Sequence, residues 1–283
     1  MSKIRILLLR LTVCIAVLLL AAPVLFAQAQ NEAKVNGEYT AAILEKITAD
    51  LAKKEKDFSK QAERFLLNQP NDFKLYDETY VDIKMRLDQA TREDGETEYN
   101  LVYSISYNCK NLEGVTDDYP LGTYLWSQSN SSRAICNLTK TFVEDVGKQY
   151  FLAGKDVTIK IFATTDVIDI AHVPYEGEFG DFRYVPVVFN GEQVRLSVSQ
   201  EEGISNNAQL AFTRALSVRD FIENNIPLLR REDNQYQYTL KNYEFEGGQY
   251  RRSSIELVVH GAFDQQVYDE TMKMRDDEYV DIN

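Results

Sequence analysis

A guanidinium cannot shed its charge, so an arginine held against an apolar helix face has to meet an anion, supplied by the protein or by a ligand. The stretch NAQLAFTRALSVRDFIENN, residues 207–225, sets up that situation. Taken as a helix of about five turns at ~3.6 residues each, it lines up Ala211, Ala215, Val218 and Ile222 on one stripe, with Leu210 and Phe221 widening it. That is the spacing of a core-facing helix, and Arg214 falls on the edge of the stripe. Asp166, just past the strand-like run Val157 to Thr165, is the carboxylate expected to face it. Opposite charges at a strand end and a helix start can pair internally, or they can hold the two ends of a zwitterion.

Other chemistries have less material. His172 and His260 are the two histidines, and neither HExxH nor CxxC occurs, so no metal site, no cofactor and no histidine-driven catalysis is expected. Adjacent acids such as Asp117-Asp118 and Asp276-Asp277 do not make a glycosidase, which needs two carboxyls facing each other across a cleft. The chain reads as a binding protein rather than an enzyme. Cys109 and Cys136 are either a disulfide, which export would permit, or two small buried hydrophobes.

The elements that must position these residues follow a leader. Residues 1–28 carry Lys3, Arg5 and Arg10, an apolar run and then small residues, the pattern of a secretory signal peptide. Its loss takes three of the 31 Lys and Arg and none of the 44 Asp and Glu, leaving 28 cations against 44 anions, a net −16. So acidic a surface opposes nucleic acid and anionic membranes.

Residues 29–70 read as a helical stalk or a packed helix. Leu44, Ile47, Leu51, Phe58 and Phe65 keep a heptad-like spacing over 38–68, which would serve a homodimer, a protein partner or the neighbouring domain. Val81, Ile83, Met85 and Leu87 then alternate with polar residues, Asp94-Gly95 turns, and residues 99–108 return, which predicts a hairpin. A helix is expected over Ser129 to Phe151, capped by Ser129 or Ser131. Residues 167–206 form an insertion with strand-like pieces 183–189 and 193–199 around Asn190-Gly191, expected as an ordered flap. Two more strands follow, over 236–245 and 252–260, and then an acidic tail, 264–283.

The arrangement N-x-x-L-x-x-x-R-A-x-x-V, carried by Asn207, Leu210, Arg214, Ala215 and Val218, resembles the peptidoglycan-binding domain of the outer-membrane protein A (OmpA-like) family. The strand end Thr165-Asp166 before it and RRSSIEL, residues 251–257, after it resemble that family's "TD" turn and closing strand, in the family's order. The resemblance implies an α+β fold over about residues 99–263, a mixed sheet with helices on one face in the order β-α-β-α-β-β. The N-terminal helix would precede this domain (71–263), and the hairpin insertion 167–206 would interrupt it. It also implies a ligand, the diaminopimelate of the peptidoglycan stem peptide. Asp166 would accept its ammonium and Arg214 would fork its carboxylate, with Thr165 and Asn207 beside them and Arg252 and Asp169 supporting the rim. The protein would then sit in the periplasm or against the outer membrane of a Gram-negative-type cell envelope. This chain departs from the family at Ala163, where a glycine usually precedes the "TD", and in the long insertion. A periplasmic scaffold of the same fold that binds a protein partner and no peptidoglycan is the alternative.

Overall fold

The computed structural model describes residues 42, 44–64, 79–91, 95, 97–109, 119–148 and 155–262. The expected leader (1–28) and acidic tail (264–283) lie outside them. The chain divides into two units, Met1–Asp50 and Leu51–Asn283; in the first, residues 42 and 44–50 are helical. The second holds the whole sheet.

That unit opens with helix α1, residues 51–64. Strands β1 (Thr79–Thr91) and β2 (Thr97–Cys109) form the expected hairpin in unbroken antiparallel register, with Ile83 opposite Ile105 and Met85 opposite Tyr103. Alternation puts Leu101, Tyr103 and Ile105 on the inner face, each at most 1% exposed. Helix α2 (Asn130–Phe142) starts on Ser129, whose hydroxyl accepts the Ser132 N–H, and runs into a wider π turn over Val143–Gly147. Phe142 stacks on Tyr103 at 3.7 Å, and Phe58 of α1 meets both rings edge-on. Leu51 and Phe58 are therefore core residues, 3% and 2% exposed. These two positions of the heptad seam pack inside their own domain.

Strand β3 (Val157–Thr165) buries Val157, Ile159, Ile161 and Ala163. Strands β4 (Phe182–Phe189) and β5 (Glu192–Val198) form the inserted hairpin, helix α3 spans Asn207–Asn225, and β6 (Gln235–Asn242) and β7 (Ser253–Val259) close the fold. The seven strands lie in the order β1-β2-β7-β3-β6-β4-β5; β3–β6 and β4–β6 are parallel and the other pairings antiparallel. The result is an α+β fold around a mixed sheet. With β1 and the inserted β4–β5 hairpin set aside, the order is β2-α2-β3-α3-β6-β7, as expected.

The insertion differs from the expected flap. Val188 pairs with Thr239 and Phe189 with Leu240, so the hairpin prolongs the sheet beyond β6. An open sheet edge is a row of unmet backbone donors and acceptors, and the hairpin satisfies it. It also widens the surface under α3. Phe212 and Leu216, off the expected stripe, are 0% and 1% exposed, and Phe212 meets Tyr238 at 5.3 Å and Phe182 at 6.1 Å.

Candidate functional site

The C-terminal end of β3 carries Thr165 and Asp166, and the first turn of α3 lies against it. Asn206 caps α3 by accepting the Gln209 N–H at 2.9 Å. Asn207, one residue on, turns its amide toward the strand and donates to the carbonyls of Asp166 (3.1 Å) and Ile168 (3.0 Å). Thr165 donates its hydroxyl to Asn242 Oδ1 at 2.9 Å, which ties β3 to the end of β6. Strand end and helix start thus converge as expected, but the helix's leading N–H at Gln209 is taken by its own cap.

The two charged residues are sealed inside. Asp166 is 2% exposed and Arg214 0%. The ion pair of Asp166 is with Arg251, which donates from Nη2 to Oδ2 at 2.6 Å, and the Gly247 N–H reaches the same oxygen at 3.2 Å. Arg214 donates from Nε to the Thr123 carbonyl (3.0 Å) and from Nη1 to the Thr164 carbonyl (2.7 Å), and its guanidinium lies 4.4 Å from the centre of the Tyr119 ring. Tyr119 joins the two arginines: its carbonyl accepts from Arg251 at 3.3 Å and its hydroxyl accepts from Ser132 Oγ at 2.8 Å. The four side chains Asp166, Arg214, Arg251 and Tyr119 make one buried polar knot. It clamps β3, the start of β7, α3 and the segment ahead of α2 together.

Two expectations change here. Asp166 was expected to face Arg214 and instead pairs with Arg251. Arg252, expected to support the Asp166 rim, points to the other side of the sheet, where it lines a separate pocket. Strand parity explains the exchange: Ile255, Leu257 and Val259 face the helices, so Ser253 and Arg251 share their side and Arg252 does not. That parity was readable in RRSSIELVV and singles out Arg251. Asp169 is exposed. For Cys136 the second of the two expected readings holds. Cys136 is a free thiol, fully buried within α2, and burial pushes its pKa up. It behaves as a small core hydrophobe.

Arg219 on α3 is engaged as well. Its guanidinium lies 4.5 Å from the Tyr236 ring centre and donates to Glu223 (2.8 Å) and the Tyr238 hydroxyl (3.2 Å), a rivet between α3 and β6. Among the described residues no group of three or more His, Cys, Asp or Glu is placed to hold a metal, and no helix is long and apolar enough to cross a membrane. No protein-family model, curated protein or solved structure matches this chain.

Proposed function

We propose that this is an exported cell-envelope protein of OmpA-like architecture that acts as a partner-binding scaffold, its Asp166 and Arg214 serving as an internal lock. The supporting observation is the commitment of the Asp166 carboxylate: it is 2% exposed, and Oδ2 already accepts two internal donors. A diaminopimelate ammonium would have to displace a buried, charge-assisted bond, and truncating one side of such a pair costs about 3–5 kcal/mol. The reading is of a binding protein with no catalytic role.

A second reading, peptidoglycan binding through diaminopimelate, is favoured by one specific feature. Thr165, Asp166, Asn207 and Arg214 gather at the C-terminal ends of the parallel strands β3 and β6, the edge where open sheets flanked by helices commonly receive ligands. On this reading the Asn242 to Arg251 connection swings away and frees Asp166.

Co-sedimentation with diaminopimelate-type sacculi separates the two. The scaffold reading expects the purified chain to stay in the supernatant. Pelleting that Arg214→Lys abolishes while the fold persists would overturn it in favour of wall binding. Release of soluble muropeptides would overturn both in favour of an enzyme.

A further inference from the structure

The face of the sheet away from the helices holds a pocket of about 300 Å³ over β3, β6 and β7. Three adjacent pairs in the sequence build both sides at once. Thr165, Asn242 and Arg251 turn toward the buried knot, while their neighbours Thr164, Lys241 and Arg252 line the pocket. Thr164 fixes the wall, donating its hydroxyl to the Tyr250 carbonyl at 2.5 Å and accepting from the Arg252 N–H at 3.1 Å.

Two features of the lining narrow the ligand. It contains two cations, Lys241 and Arg252, and no carboxylate among the described residues, on a chain of net charge −13. A cationic recess on an acidic surface attracts and orients an anion. The rest of the lining is hydroxyl and ring, with Thr239 and Ser254 among the hydroxyls and Phe162 and Tyr243 the rings. From Tyr243 an aromatic strip runs outward through Tyr250 (5.0 Å) to Phe245 (5.8 Å further), whose ring is 62% exposed. Lys241 sits over this strip, its ammonium 4.4 Å from the Tyr243 ring centre.

We infer that this pocket binds a saccharide carrying a carboxylate, such as a uronic acid residue of an envelope or extracellular glycan. The sugar's apolar C–H face packs on the Tyr250 and Phe245 end of the strip, its hydroxyls bond Thr239 and Ser254, and its carboxylate meets the Lys241 ammonium. The site lies on the opposite side of the sheet from Asp166 and does not depend on whether that knot opens.

The test is titration of the purified chain with glucuronate, glucose, acetate and an acidic peptide, followed by calorimetry and by chemical shifts of the Tyr243 and Tyr250 rings. Glucuronate is expected to bind at least tenfold more tightly than glucose or acetate. Lys241→Ala, an exposed position whose loss leaves the fold intact, should weaken glucuronate at least tenfold, and Thr239→Val should weaken it several-fold. Raising the salt concentration should weaken it further. The inference is overturned if acetate or the acidic peptide binds as well as glucuronate, if glucuronate fails to shift the rings, or if Lys241→Ala leaves its affinity unchanged.

Discussion

Arg251 and Arg252 are the same side chain one residue apart, and the fold gives them opposite tasks. Arg251 is 4% exposed and carries the buried pair with Asp166; its loss strands a carboxylate in the interior. Arg251→Ala should therefore cost about 3–5 kcal/mol of stability, read as a lower denaturant midpoint at unchanged slope. Arg252→Ala removes a partly exposed cation and should cost about 1 kcal/mol or less. Equal losses at the two positions would show that the pairing is not what holds the knot. At this scale the sequence was informative about residue types and poor at partners. Charges on a helix edge and at a strand end announce a polar site, but which arginine reaches Asp166 depends on strand parity carried two residues ahead of β7. The Tyr119 ring, which touches Arg214, lies outside every periodic stretch of the sequence, so no period reveals it.

The elements themselves were legible wherever a period was clean. β2, β3 and α3 form within two residues of their expected limits, and β1 forms where expected but runs on to Thr91, because alternating or 3.6-spaced apolar residues leave one way to bury them. Docking of the inserted hairpin was not legible: it rests on two backbone pairings, Val188 with Thr239 and Phe189 with Leu240, which no side-chain pattern encodes. Asn190 shows how tightly its tip is held. Its φ is +50°, its N–H donates to the Leu240 carbonyl at 3.0 Å, and its side chain accepts the Asn242 N–H at 2.9 Å. Asn190→Gly keeps the left-handed backbone and loses the side-chain bond, a cost of about 1 kcal/mol. Asn190→Ala loses the bond and adds about 1–2 kcal/mol of left-handed strain, so thermal unfolding should rank wild type above Gly above Ala. If alanine is tolerated better than glycine, the tip is not anchored as the hydrogen bonds describe.

For the whole molecule, buried phenols set a limit on alkaline stability. Burial raises the pKa of Tyr103, between α2 and β2, and of Tyr236 on β6 above the usual phenol range. Tyr175 is pushed up to about 12, first by burial and then by the nearby carboxylates of Glu178 and Asp181, although the Phe179 N–H bonded to its oxygen acts the other way. In the unfolded chain these groups titrate near the ordinary value of about 10. A pKa raised by folding means that the native state keeps protons the unfolded state has lost, so stability is whole below about pH 10 and drains away as pH climbs toward the native values. For Tyr175 that window closes at about pH 12, with Tyr103 and Tyr236 extending the decline beyond it. The acidic chain, at −13 before any phenol ionises, adds self-repulsion in the same direction. Denaturant midpoints should stay level from pH 8 to 10 and then fall, and tyrosinate absorbance should rise in two stages, exposed phenols first and buried ones only with unfolding. Tyr175→Phe removes the hydroxyl that donates to the Gly180 carbonyl at 2.7 Å, so it should lower stability at pH 8 yet soften the fall between pH 10 and 12. One smooth absorbance rise centred near pH 10 with the fold intact would mean that these rings are open to solvent and that the core around Tyr103 is not closed.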